Sequence, residues 1–89
     1  MSERDSAQQV LDALKRAAAK PAPEALADLN GLIPLVQGGR AHTIEAEEAR
    51  ASAFLAICEV GKALHRDQPV EGLYAAAISA AERWVVVAN

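Results

Sequence analysis

The sequence predicts an all-α fold. It is a small three- or four-helix bundle in which a long central helix, residues 43–66, packs against a C-terminal helix, residues 69–86. Three observations lead there. Apolar residues recur at spacings of three and four through both stretches. Capping and stopping residues bracket the longer one. No segment alternates apolar and polar residues as a half-buried strand would.

The central stretch, TIEAEEARASAFLAICEVGKALHR, is the longest periodic run. Glu45, Glu48, Ser52, Glu59, Lys62 and Arg66 fall on one stripe, and Phe54, Ile57, Gly61 and Leu64 on the opposite one. Ala46, Ala53 and Val60 widen one side of the apolar stripe, and Cys58 marks its other edge. Thr43 is placed to cap the N-terminus, since its hydroxyl can accept from a first-turn amide. Glu45, Glu47 and Glu48 put negative charge where the helix dipole favours it, and His65 and Arg66 put positive charge at the other end. Asp67 and Pro69 stop the run. At 1.5 Å per residue this helix is about 35 Å long. Three residues break its pattern, the first being Glu47 at the edge of the apolar stripe. Arg50 lies in the apolar stripe, where it either snorkels past the core or grips an anion or a partner carboxylate. Leu55 lies on the charged side, as a tolerated exposed leucine or as part of a contact with a second chain.

Upstream, Met1 to Asp5 are expected to fray, and Ser6-Ala-Gln-Gln9 reads as a capping box opening a first helix that runs to Lys20. Val10, Leu11, Leu14, Ala17 and Ala18 form its apolar face. Pro21-Ala-Pro23 separates it from a second segment that Pro34 and Asn30-Gly31 should break, giving a short helix over 23–29 and one further turn over 33–37. Gly38-Gly39 is a firm stop. In the last helix Val70, Leu73, Tyr74, Ala77, Ile78, Ala81, Trp84 and Val85 share a face. Beyond it, Trp84 to Val87 are apolar all round, so Val86 and Val87 either fold back over the bundle end or join an exposed patch.

Composition narrows the function classes. The 89 residues are read as one domain, 1–89, and a chain of that length buries only about 60–65% of its unfolded surface. The hydrophobic fraction of 52% is alanine-inflated, with one Phe, one Tyr and one Trp, so the core must be thin and closely packed. Small helical chains of this kind gain stability by self-association, which favours a homodimer. A net charge of −3 argues against direct nucleic-acid binding. The polar N-terminus lacks a signal peptide's apolar region, and no run is long enough to cross a membrane. With a single cysteine, these features suggest a cytoplasmic location.

No reactive constellation emerges. Cys58 and His65 share a helix face but stand about 10 Å apart along the axis, too far for one zinc ion. No HxxxH, ExxH or CxxC occurs, and Cys58 reads as a small buried apolar residue. Gly38-Gly39-Arg40 could cradle an anion in a nest, but a helix stop is the stronger reading. Neither an enzyme activity, a metal nor a cofactor is therefore expected. The best-supported function is a non-catalytic interaction module that binds a partner protein and self-associates, with Glu45, Glu48, Leu55, Glu59, Trp84, Val86 and Val87 as the candidate docking residues and Arg50 as a candidate anion or pocket residue. One alternative is a phage- or plasmid-borne inhibitor, of the anti-CRISPR or antirestriction type, that presents the acidic helix face to a nucleic-acid-processing complex. A second is a small-ligand-binding accessory protein with a pocket near Arg50, Tyr74 and Trp84.

Overall fold

A computed structural model describes residues 2–88 and, among them, builds four helices and no strand: α1 Glu3–Ala18, α2 Ala22–Gln37, α3 Ile44–His65 and α4 Glu71–Val87. Each helix packs on its chain neighbours, and α4 closes on α1, so the four form a ring. The links are short, which makes neighbours antiparallel. One end of the bundle therefore collects the start of α1, the end of α2, the start of α3 and the end of α4. The molecule measures 36 × 21 × 17 Å, and α3 alone runs almost the full long dimension.

α3 matches the expected central helix, caps included. The Ala46 amide donates to Thr43 Oγ1 at 3.0 Å. At the other end Asp67 takes a positive φ of 55°, the Gln68 amide donates to the Ala63 carbonyl at 2.8 Å, and the Asp67 amide donates to Leu64 at 3.3 Å. This is a Schellman closure with aspartate where glycine is usual; a short polar side chain tolerates the left-handed region better than most. The buried face, however, is turned from the expected one. It runs through Ala46, Ala49, Ala53, Ile57, Val60 and Ala63, leaving Phe54, Gly61 and Leu64 half-buried on its flank. Small side chains let α3 and α4 approach closely, and α4 answers with buried Ala77 and Ala81. Packing the larger Phe54 at the centre would hold the axes apart.

Two expectations fail in the first half. α1 begins at Glu3 rather than at Ser6, with Ser2 as its cap: the Asp5 amide donates to Ser2 Oγ at 3.1 Å. Ser2 to Asp5 are thus ordered, while Met1, also expected to fray, lies outside the described residues. α2 is continuous through Pro34. The proline removes one amide donor, so the Asn30 carbonyl loses its helical partner, but Asn30 and Pro34 both face solvent. Ala25, Leu29, Leu32 and Val36, at spacings of four, three and four, hold both halves on one core face. Burial of that face outweighs the local break. α4 starts two residues later than expected, because Pro69 and Val70 stay in the link.

The largest fully enclosed side chains are Trp84, Leu14, Leu29, Ile57, Val10, Val36 and Val60. Tyr74 is also buried, and its hydroxyl has no hydrogen-bond partner among the described residues. Burial, helped by the negative Asp28, pushes its pKa up. The neutral phenol is thus favoured in the fold. Its contribution is complete below the ordinary tyrosine value, near 10, and is lost as pH rises through the raised one. Tyr74→Phe is expected to raise stability in urea by about 1 kcal/mol at neutral pH, and to flatten the decline above about pH 10. A less stable Tyr74→Phe would mean that the hydroxyl is satisfied in solution.

Candidate functional site

The bundle end that gathers four helix termini carries most of the molecule's specific polar contacts. Trp84 is 0% exposed, and its Nε1 donates to Glu3 Oε2 at 2.9 Å. Glu3 is only 6% exposed, and its Oε1 has no partner among the described residues. Nearby, Arg50 Nη1 donates to the Val36 carbonyl at 3.0 Å, Nε donates to Glu47 Oε2 at 2.9 Å, and Nη2 donates to Glu47 Oε1. The hydrogen bond from Arg50 holds the Glu47 carboxyl below the usual range, and the same pairing raises Arg50. Glu47 therefore supports the fold above the ordinary glutamate pKa, and that support is lost as pH falls through its depressed value. It is an exposed pair, so the effect is small. A Cβ on Gly39 would lie 3.2 Å from the Trp84 ring and 3.3 Å from Arg50 Cδ, so the link between α2 and α3 lies flat against this cluster.

Several expected site residues take other roles here. Arg50, the candidate anion or pocket residue, ties α3 to the Val36 carbonyl of α2 and pairs with Glu47, and with Gln37, Ala51, Phe54 and Leu55 it lines an open hollow of about 570 Å³. Trp84 is enclosed and offers no surface to a partner, so it leaves the docking set. It also cannot line an open pocket with Tyr74, which is buried too. The anion nest at Gly38-Gly39 is absent, because neither glycine has the positive φ that such a turn needs; Gly38 simply caps α2.

The other candidates do face solvent. Glu45, Glu48, Leu55 and Glu59 recur on one outer stripe of α3 and all are exposed, Leu55 by 64%. Val86 is 80% exposed and Val87 half-buried. Ile44 is 81% exposed, which sequence periodicity did not mark.

The most apolar hollow lies elsewhere, in an open groove of about 500 Å³ between α2 and α3. Leu29 and Ile57 form its floor, and Leu26, Ile33, Cys58 and Gly61 its walls. Asn30 lies on one rim, and Lys62, His65 and Arg66 gather at one end. No carboxylate lines it. Lys62 Nζ reaches Glu59 at 3.4 Å, while the His65 and Arg66 side chains have no hydrogen bond or ion pair among the described residues. A Cβ built on Gly61 meets nothing within 4 Å. The groove can hold apolar groups and meet a negative charge at one end. Nothing in it pairs a nucleophile with an oriented base. Among the described residues no group of three or more His, Cys, Asp or Glu side chains could hold a metal ion, and no helix is long and apolar enough to cross a membrane.

The sequence reading assigned no function to this groove. Leu26 and Leu29 fall in the short helix expected over 23–29, Ile33 in the separate turn over 33–37, and Gly61 on the expected α3 stripe. With α2 expected to break, nothing indicated that the two rows would face each other across open space. Comparisons with family models, with curated proteins and with solved structures find no match to this chain.

Proposed function

We propose that the chain is a non-catalytic interaction module that binds a partner protein, and that it also self-associates. The observation that carries this reading is the apolar α2/α3 groove, whose walls are presented by two helices and whose polar groups suit recognition rather than a reaction. Leu55, exposed in the middle of the long outer face of α3, supports the self-association. Photo-crosslinking in cells tests both parts. A photoreactive phenylalanine at position 30, exposed on the groove rim, is expected to give one discrete adduct with another protein, and the same group at position 55 an adduct of twice the 9.4 kDa chain mass. Position 79, exposed on α4, serves as the control. Adducts no stronger at 30 than at 79 would remove the partner, and none at 55 would remove the dimer.

A second reading rests on the exposure of Glu45, Glu48 and Glu59 along one stripe. Such a face suits a basic groove on a nucleic-acid-processing complex, in the manner of the small inhibitors carried by phages and plasmids. Binding would then weaken steeply with salt, because opposed charged surfaces are screened within about 8–10 Å at physiological ionic strength. Affinity for a basic partner that is indifferent to salt would dismiss it.

A further inference from the structure

The geometry points to an amphipathic helix with an acidic end as the occupant of the α2/α3 groove, an inference that rests on the interaction-module reading and adds the chemistry of the partner. Length is the first argument. From Leu26 through Leu29 to Ile33 the apolar wall of α2 covers two helical turns, about 10 Å. That matches the span of three anchor side chains at i, i+3 or i+4, and i+7 on a docking helix. The groove's volume of about 500 Å³ suits such side chains while the body of the partner helix stays outside.

Gly61 is the second argument. Glycine inside a helix costs about 0.5–1 kcal/mol relative to alanine, yet nothing in this fold requires one there, since an added Cβ meets no atom within 4 Å. What the missing side chain does provide is depth, and room for another backbone to come close.

Charge fixes the polarity. Lys62, His65 and Arg66 cluster at one end of a groove with no carboxylate lining, in a chain whose net charge is −3. A partner helix with Asp or Glu one turn beyond its last apolar anchor would place them against that cluster. A second copy of this chain does not fit, because its exposed large apolar residues, Ile44, Leu55 and Val86, do not recur at the anchor spacing.

A displayed library of helix-forming peptides of about 16 residues, long enough to hold a helix once docked, tests the proposal on the full chain. Selection runs against the unmodified protein, with counter-selection on Gly61→Trp, which fills the groove. Circular dichroism melting confirms that Gly61→Trp is folded, and Gly61→Ala serves as the variant that keeps the groove open. The enriched peptides are expected to share apolar residues at i, i+3 or i+4, and i+7 with acidic residues at one end. They should weaken by about tenfold on the exposed double variant Lys62→Glu, Arg66→Glu. Enrichment of peptides without that period, or of peptides that ignore the charge reversal, overturns the proposal. So does a failure to enrich any groove-dependent peptide, or displacement of none of them while dodecanoate alone protects Cys58 from alkylation. A crosslink to a partner at position 30 combined with any of these negative results would leave the interaction module standing and remove only the acidic helix.

Discussion

Trp84→Ala is expected to be the most damaging single substitution in the chain, lowering Tm by about 15–30 °C. Replacing a fully buried tryptophan by alanine costs about 3–5 kcal/mol through lost contacts and an unfilled cavity. In a domain of this length each kcal/mol moves Tm by about 4–8 °C. Trp84 is the largest fully enclosed side chain, so the cavity it leaves is the largest one the core can make. A second penalty comes from Glu3, which loses its one hydrogen bond while still buried. Trp84→Phe separates the two effects, since it keeps most of the volume and removes only the donor. Its cost should be about 1–3 kcal/mol, and Glu3→Leu should be milder in the Trp84→Phe background than in the parent, because the orphaned carboxylate goes with it. Thermal and urea denaturation of the parent and these four variants measures this. A Trp84→Ala melt within about 5 °C of the parent would mean that the indole does not organise this end of the bundle.

That contact also explains where sequence reading stopped. The sequence starts α1 at the Ser6–Gln9 box, and the fold caps it one turn earlier, at Ser2 with Asp5. Nothing local passes over Ser6 in favour of the earlier cap. The choice is made by Glu3 meeting a tryptophan 81 residues away. α2 carries the same lesson. Pro34 and Asn30-Gly31 form a strong local argument for a break, and it is overruled because Ala25, Leu29, Leu32 and Val36 bury together on one side while the proline ring faces water. The ends of α3 were legible because its cap and stop agree, and α4 because its apolar residues recur cleanly at three and four; which face of α3 is buried was not, because the seam with α4 decides it.

The candidate site divides in the same way. Exposure of Glu45, Glu48, Leu55 and Glu59 follows from the period of a single helix, and single-helix reasoning found it, whereas it left Val86 open between folding back and exposure. Arg50 is anomalous in the sequence, and besides the Glu47 carboxylate three residues away it meets the Val36 carbonyl, a backbone group with no sequence signature. The groove is a property of two helices set at a distance. Its walls are ordinary leucines and isoleucines until α2 is known to be continuous. Its cationic end was in plain view as Lys62, His65 and Arg66, but those residues had a sufficient local explanation as favourable charges at a helix C-terminus.

Ala53→Leu is expected to cost about 1–3 kcal/mol, although it adds apolar surface to a chain whose core is short of it. Ala53 is 0% exposed at the centre of the α3 face, and the helix it meets most extensively, α4, buries Ala77 and Ala81. A leucine there has no cavity to enter, so the two axes must separate, and each alanine contact along the seam loosens with them. Ala76→Leu is the matched control. It has the same residue types in the same helix pair but lies on the exposed face of α4, where the change should stay within about 0.5 kcal/mol. Urea denaturation of both variants decides the matter. If Ala53→Leu is as stable as the parent, the seam has slack and close approach through alanine is not what holds α3 to α4. If it is destabilised as expected, the alanine content is explained as a geometric requirement: the small residues set how near the helices come, and thereby leave the bulkier Phe54 and Leu64 half-buried on the flank of α3.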